Sequence, residues 1–254
     1  LLLGLSSPAP VTADLSFPKL WLASRFVAPG CEPVCCDGNA PLPFACGAFA
    51  FSVCADAFMF VWTKRQFVSE MLRLTDRDGP RAVVVTHAHN QRVWSPSHGD
   101  PLPPEGYREL FETQEPRLFS ESGLLTDVVA GGPLDLSRRD EPETLEADPA
   151  LIIVASNDDA VFRRHTLVAE PPARGELRLN PLYVAESAGT NTRLRLHFPS
   201  PDYEEEFGAC RDYLPEELTV DATALADVAE GRRTTEVLEL LRRRVVLDVP
   251  ARYY

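Results

Sequence analysis

Basic charge is scarce in this sequence: 25 Lys and Arg stand against 38 Asp and Glu, a formal net charge of −13 over 254 residues. Phosphate binding needs a basic surface, so the balance argues against a nucleic-acid partner. No run of about 18 apolar residues occurs, which argues against a membrane-spanning helix. Leu1 to Leu5 is apolar but lacks the basic flank and the length of a signal peptide. The six cysteines form no C-x-x-C pair and several fall in apolar runs, so free, buried thiols in a reducing cytoplasm are expected. Cys35 and Cys36 would point to opposite faces of a strand, which argues against a zinc site with Cys31. The one dense basic cluster, Arg242-Arg243-Arg244, reads as a solvated helix end.

What is present is an alternation of buried runs and turn punctuation between residues 32 and 90. Val34-Cys35-Cys36 is a short apolar run that stops at the turn cluster Asp37-Gly38-Asn39. Residues 49–54 form a second buried run, and residues 82–86, A-V-V-V-T, a third that is rich in β-branched side chains. Between these two, Phe60, Val61, Phe67, Val68, Met71, Leu72 and Leu74 recur at helical spacing, with Lys64, Arg65, Glu70 and Arg73 opposite. Strands joined by an amphipathic crossover helix predict a parallel sheet covered on both faces. Ligands in such sheets sit beyond the carboxyl ends of the strands. Those ends carry Asp37-Gly38-Asn39, Ala55-Asp56 and His87-Ala88-His89-Asn90.

His87 and His89, two apart on a strand, are expected to point the same way and could shuttle a proton or bind a metal. A structural or solvent-facing pair is the alternative. His98 lies in a loop that could fold back over them. No H-x-H-x-D-H or H-E-x-x-H pattern accompanies the pair, so no metal is assigned. Phe58, Phe60 and Trp62 are candidates for an acceptor pocket, with a packed core as the competing reading.

The order Asp37, Leu42-Pro43-Phe44, Gly47-Ala48-Phe49, Glu70-Met71-Leu72-Arg73-Leu74 and Gly79 resembles the middle of a class I S-adenosylmethionine-dependent methyltransferase. The resemblance implies an α/β, Rossmann-like, mostly parallel sheet. It also implies S-adenosylmethionine as cofactor and methyl transfer to a small-molecule or peptide-like acceptor in the cytoplasm. Asp14, with Leu15, would meet the cofactor's ribose hydroxyls, for which an ionised carboxylate is acceptor-only. Asp37, Gly38 and Asn39 would lie near the adenine, and Ala55-Asp56 near the transferred methyl. Asp56, His87 and His89 are then the expected catalytic residues. Two departures stand out. Ala50 replaces a usual Asp, and no G-x-G-x-G loop is present. The chain begins without Met, so a lost N-terminal segment is expected; a degenerate loop, in a non-catalytic scaffold or partner-binding subunit, is the alternative.

The remaining elements are expected in order. Residues 11–14 read as a strand, and residues 19–27 as a helix entered through Ser16 and Pro18. Residues 107–112 read as a short helix, residues 117–119 and 125–129 as strands, and residues 151–156 as a buried strand. Residues 135–148 are acidic and expected to be exposed. The methyltransferase-like domain is placed at residues 1–156. Residues 157–254 are read as a C-terminal α+β appendage serving substrate selection or homodimer formation. Its strands are expected at residues 177–179, 183–185, 193–198 and 245–249, and its helices at residues 219–225 and 235–241.

Overall fold

A computed structural model describes residues 9–76, 78–96, 99–166 and 175–250. Strand β1 (Val11–Asp14) ends where Asp14 Oδ1 accepts from the Ser16 backbone N–H at 2.7 Å. Helix α1 (Phe17–Leu22) then starts with Pro18 in its first turn and runs into a π-helical turn at Ala23–Val27. Ser16 sits at the cap position but makes no side-chain cap; Asp14 closes the turn instead. β2 (Glu32–Cys35) lies parallel to β1, with Asp14 opposite Cys35.

β3 (Phe51–Ala55) and β4 (Ala82–His89) are parallel, as the crossover pattern predicts. They are joined by α2 (Lys64–Leu74), which buries Val68, Met71 and Leu74. The helix starts later than its apolar spacing suggests. Phe58–Phe60 is a separate 3-10 turn, and Asn39 Oδ1 accepts from the Trp62 and Thr63 N–H groups at 2.6 and 3.3 Å. A remote amide thus ties down the two residues that lead into α2.

The Glu70 and Arg73 pair is a loop clamp. Arg73 Nε and Nη2 each donate to the Glu70 carboxylate at 2.7 Å, and the guanidinium also reaches the Phe44 and Leu42 carbonyls. Glu70 Oε2 accepts from the Leu42 N–H at 2.7 Å. Arg73 holds the Glu70 carboxyl below its ordinary range, so its contribution is complete above the unfolded value and fades as pH falls through the folded one. Glu70→Gln is expected to flatten the acid limb of stability below about pH 4. Denaturant midpoints measured at neutral and acid pH check this; parallel pH profiles for both proteins would refute it.

The chain continues through α3 (Pro104–Leu110), β5 (Arg117–Ser120), α4 (Glu121–Val129), β6 (Leu134–Asp135), β7 (Ala150–Ser156) and β8 (Arg164–His165). The strand order is β3-β4-β7-β5, with β7 antiparallel to both neighbours. This is a Rossmann-like α/β layer in which one antiparallel strand, β7, lies between β4 and β5. Residues 125–129, expected as a strand, are helical. Ser120 Oγ accepts from the Gly123 N–H at 3.1 Å, and that cap starts α4 four residues earlier, with Leu124 on its buried face. β6 and β8 pair beside the sheet, and Phe162 packs against the cluster of Phe119, Leu124 and Val154.

The C-terminal part is α+β: β9 (Gly175–Leu179), β10 (Tyr183–Ala188), β11 (Asn191–Leu196), α5 (Pro201–Phe207), β12 (Glu217–Asp221), α6 (Ala222–Ala229), α7 (Thr235–Arg242) and β13 (Val246–Pro250). β10-β11-β12 form one antiparallel sheet and β13-β9 another, around Leu177, Leu194, Val220, Val237 and Val246. Residues 219–225 are not one helix. β12 runs through Asp221, whose Oδ1 accepts from the Thr223 N–H at 2.8 Å and starts α6 there.

Arg242 is not a solvated tip. It donates to the Val128 and Val129 carbonyls at the end of α4, joining the two parts of the chain. All six cysteines are free, but Cys35 and Cys46 are exposed rather than buried. Among the described residues, no helix is long and apolar enough to cross a membrane.

Candidate active site at the carboxyl ends of β3 and β4

The site is made by a defect in β4. Val85 faces Ile153 of β7, but the next paired residue, Ala88, faces Leu151, so β4 carries one extra residue. Such a bulge leaves a residue outside the ladder and re-aims its side chain. Here His87 takes the left-handed conformation at φ 52°, which His tolerates better than most residues. Its N–H donates to Glu121 Oε1 at 3.1 Å, and its Nδ1 lies 2.5 Å from Oε2 of the same carboxylate. One side chain at the start of α4 therefore satisfies both the backbone and the ring.

His89 follows on the same strand, its ring centroid 4.9 Å from that of His87 and nearly perpendicular to it. Its Nδ1 is 3.0 Å from Ser95 Oγ. Behind it, the Tyr107 hydroxyl donates to the His89 carbonyl at 2.7 Å; burial pushes that phenol up to about 12, so it stays a donor. Asp56 ends β3 at φ 50°, and its N–H donates to the Thr86 carbonyl at 3.2 Å. The parallel pairing of β3 with β4 brings it to the histidines. Ligand-bearing atoms of Asp56, His87 and His89 all lie within 4.8 Å of one another.

The two rings differ electrostatically. The hydrogen bond from Glu121 raises the His87 pKa, with smaller charge effects from Glu121 and Asp56. Burial lowers that of His89, and the neighbouring His87 adds to the effect. Asp56, Glu121 and Glu206 oppose it. Glu206 belongs to α5, so the C-terminal part contributes charge at this site.

Of the residues expected to meet the cofactor, Asp14, Leu15, Asp37, Gly38 and Asn39 lie beyond β1 and β2, and Ala55 and Asp56 at the end of β3. Asp37 Oδ1 accepts from the Asn39 N–H at 2.8 Å and from its amide at 3.1 Å. Asp14 and Asp37 lie near Cys36, whose thiol pKa is raised mainly by burial and further by Cys35, Asp37 and Asp14. A Cβ on Gly38 would come to 3.3 Å of the Phe67 ring, so Gly38 serves packing against α2. Leu15 is 68% exposed, and Ala55 is exposed at the end of β3. Asn39 Oδ1 is taken up by the Trp62 and Thr63 N–H groups before α2.

The aromatic candidates separate. Phe58 is buried in the core beside Phe67 and Tyr107, whereas Phe60 and Trp62 are exposed. Phe58 lines no acceptor pocket because the 3-10 turn rotates it inward. His98 lies outside the described residues.

Sequence reasoning passed over Glu121, although Ser120-Glu121 before Gly123 is a recognisable helix start with an acid in the first turn. It also passed over Glu206, which lies in α5.

The fold and site thus define an α/β domain of Rossmann-like build with a two-histidine, carboxylate-flanked cluster beyond its parallel strands. No protein-family model matches the chain, and no curated protein matches it. Several solved structures resemble part of it. A chain in the complex of the Haloferax volcanii Trm112 methyltransferase activator shares 18% identity, covering 57% of this chain and 70% of that one, at a TM-score of 0.40. Geranyl diphosphate C-methyltransferase from Streptomyces coelicolor shares 15%, covering 58% and 62%, at 0.38. A SAM-dependent methyltransferase from Aquifex aeolicus shares 12%, covering 57% and 67%, at 0.36. Likenesses this distant say nothing about which residues act.

Proposed function

We propose that this chain transfers the methyl group of S-adenosylmethionine to a small-molecule or peptide-like acceptor. The observation that carries the reading is the convergence of Asp56, His87 and His89 beyond the parallel strands β3 and β4. Asp14 and Asp37 each use one carboxylate oxygen on a local turn. Their other oxygens carry no hydrogen bond among the described residues, which fits a diol or amine donor from the cofactor. Asp14, Leu15, Asp37, Gly38, Asn39, Ala55 and Asp56 would hold it. When bound, it supplies an activated methyl group for in-line displacement. Asp56, His87 and His89 would orient the acceptor and take its proton, with Glu121 as the residue that positions His87.

The second reading is a non-catalytic scaffold. It is favoured by one observation: β1-β2 and β3-β4-β7-β5 are separate sheets.

Calorimetric titration with S-adenosylmethionine and its demethylated product separates the two. Binding in the micromolar range is expected, and Asp14→Asn is expected to abolish it. The asparagine keeps an acceptor for the Ser16 N–H, so α1 still starts correctly, which Asp14→Ala would not ensure. Unchanged affinity in the variant would remove Asp14 from the cofactor site. Silence of both this chain and an N-terminally extended form would favour the scaffold.

A further inference from the structure

We propose that Asp56, His87 and His89 bind one divalent first-row transition ion of the Zn2+ class. Their ligand-bearing atoms lie within 4.8 Å of one another, near enough for side-chain rotation to close them on one ion. Two imidazoles and a carboxylate are borderline donors that suit zinc and its neighbours rather than magnesium or calcium. Three protein ligands leave at least one position open, the arrangement of ions that act on a bound molecule rather than hold a fold together.

The outer contacts support this more strongly than the donor count does. A metal-binding histidine usually gives its other ring nitrogen to a carboxylate or another polar group, which fixes the ring. His87 gives Nδ1 to Glu121 at 2.5 Å, and His89 gives Nδ1 to Ser95 Oγ at 3.0 Å. Both rings thus keep Nε2 without a hydrogen bond among the described residues. Glu121 is itself held in the first turn of α4, behind the Ser120 cap, and Ser120 Oγ donates to Asp148 Oδ1 at 2.5 Å. The backbone of His89 is pinned by Tyr107. The rings are therefore oriented from behind, and the open ring nitrogens and the Asp56 carboxylate remain for a ligand.

A short motif could not show this site, because the carboxylate comes from β3 and the histidines from β4. The ion's open position would receive the acceptor's oxygen and ease the loss of its proton to solvent, a role that would replace direct proton transfer to the three ligands and that rests on the proposed function. Ion binding itself rests on the cluster and does not require methyl transfer.

The test is titration of the chelator-stripped full chain with Co2+, followed by visible absorption, with Zn2+ competition and calorimetry. One equivalent is expected, with d–d bands of a nitrogen and oxygen site that Zn2+ abolishes. Asp56→Asn, at an exposed position, and His89→Gln are expected to remove the bands while leaving the far-UV circular dichroism unchanged. Glu121→Gln is expected to weaken binding about 10- to 100-fold, the usual effect of losing such an outer contact. No stoichiometric binding by the wild-type chain would overturn the proposal. So would bands that survive His87→Gln combined with His89→Gln, or a thiolate charge-transfer band assigning the ion to the cysteines. Co2+ binding without any affinity for S-adenosylmethionine would sustain the ion site and reject methyl transfer.

Discussion

Asn90→Asp is expected to cost about 3–5 kcal/mol of stability, the range for a buried charge left without a partner. Asn90 follows the site strand directly and is 1% exposed. Its Nδ2 donates to the carbonyls of Leu145, Glu146 and Asp148, at 3.1, 3.1 and 2.9 Å, while its Oδ1 accepts from the Arg92 N–H at 3.0 Å. One amide thus gathers the turn before β7 against the end of β4. Aspartate has the same shape but presents an acceptor to three acceptors, and burial in that ring of carbonyls favours its neutral form. Its pKa in the folded state is therefore raised, so the penalty should shrink as pH falls and the carboxyl regains a donor. Urea unfolding at neutral and acid pH measures both effects. A shift below about 1 kcal/mol at neutral pH would show that the three bonds are not a stabilising unit.

Phe58→Ala carries the second large effect, about 3–5 kcal/mol from lost burial and the cavity left behind. Phe58 is 1% exposed, with ring centroids 6.0 Å from Phe67 and 5.9 Å from Tyr107, and Lys64 Nζ lies 5.8 Å from its centre. Tyr107 holds the His89 carbonyl, so a cavity here also loosens the support of the site. Trp62→Ala, at 76% exposure, is expected to stay within about 0.5 kcal/mol. Thermal or urea melts of the two variants compare them. Equal stabilities would return Phe58 to the surface and restore it as a pocket residue.

The parts of the fold legible in the chain were those set by local periodicity. The β-branched run at residues 82–86 and the helical spacing from Phe67 to Leu74 identified β4 and α2, because burying one face is enough to specify an element. Residues 125–129 misled for the same reason. Leu-Thr-Asp-Val-Val suits a strand by composition, and only the Ser120 cap, read together with Leu124, marks a helix. At residues 219–225 the boundary between β12 and α6 fell inside one apolar stretch, where periodicity changes too quickly to be seen.

The candidate site divides along the same line. Which residues could do chemistry was determined by the sequence alone: two histidines one residue apart, and acids at the ends of apolar runs. What they can do together was decided by tertiary structure. Parallel pairing carries Asp56 to the histidines, one extra residue in β4 turns His87 into the left-handed region, and the first turn of α4 supplies Glu121. Each of these depends on contacts between residues far apart in the chain, 34 positions for His87 and Glu121 and more for β4 against β7, which local propensity does not encode. The cluster exists because strand register and helix placement, both set by global packing, coincide at one end of the sheet.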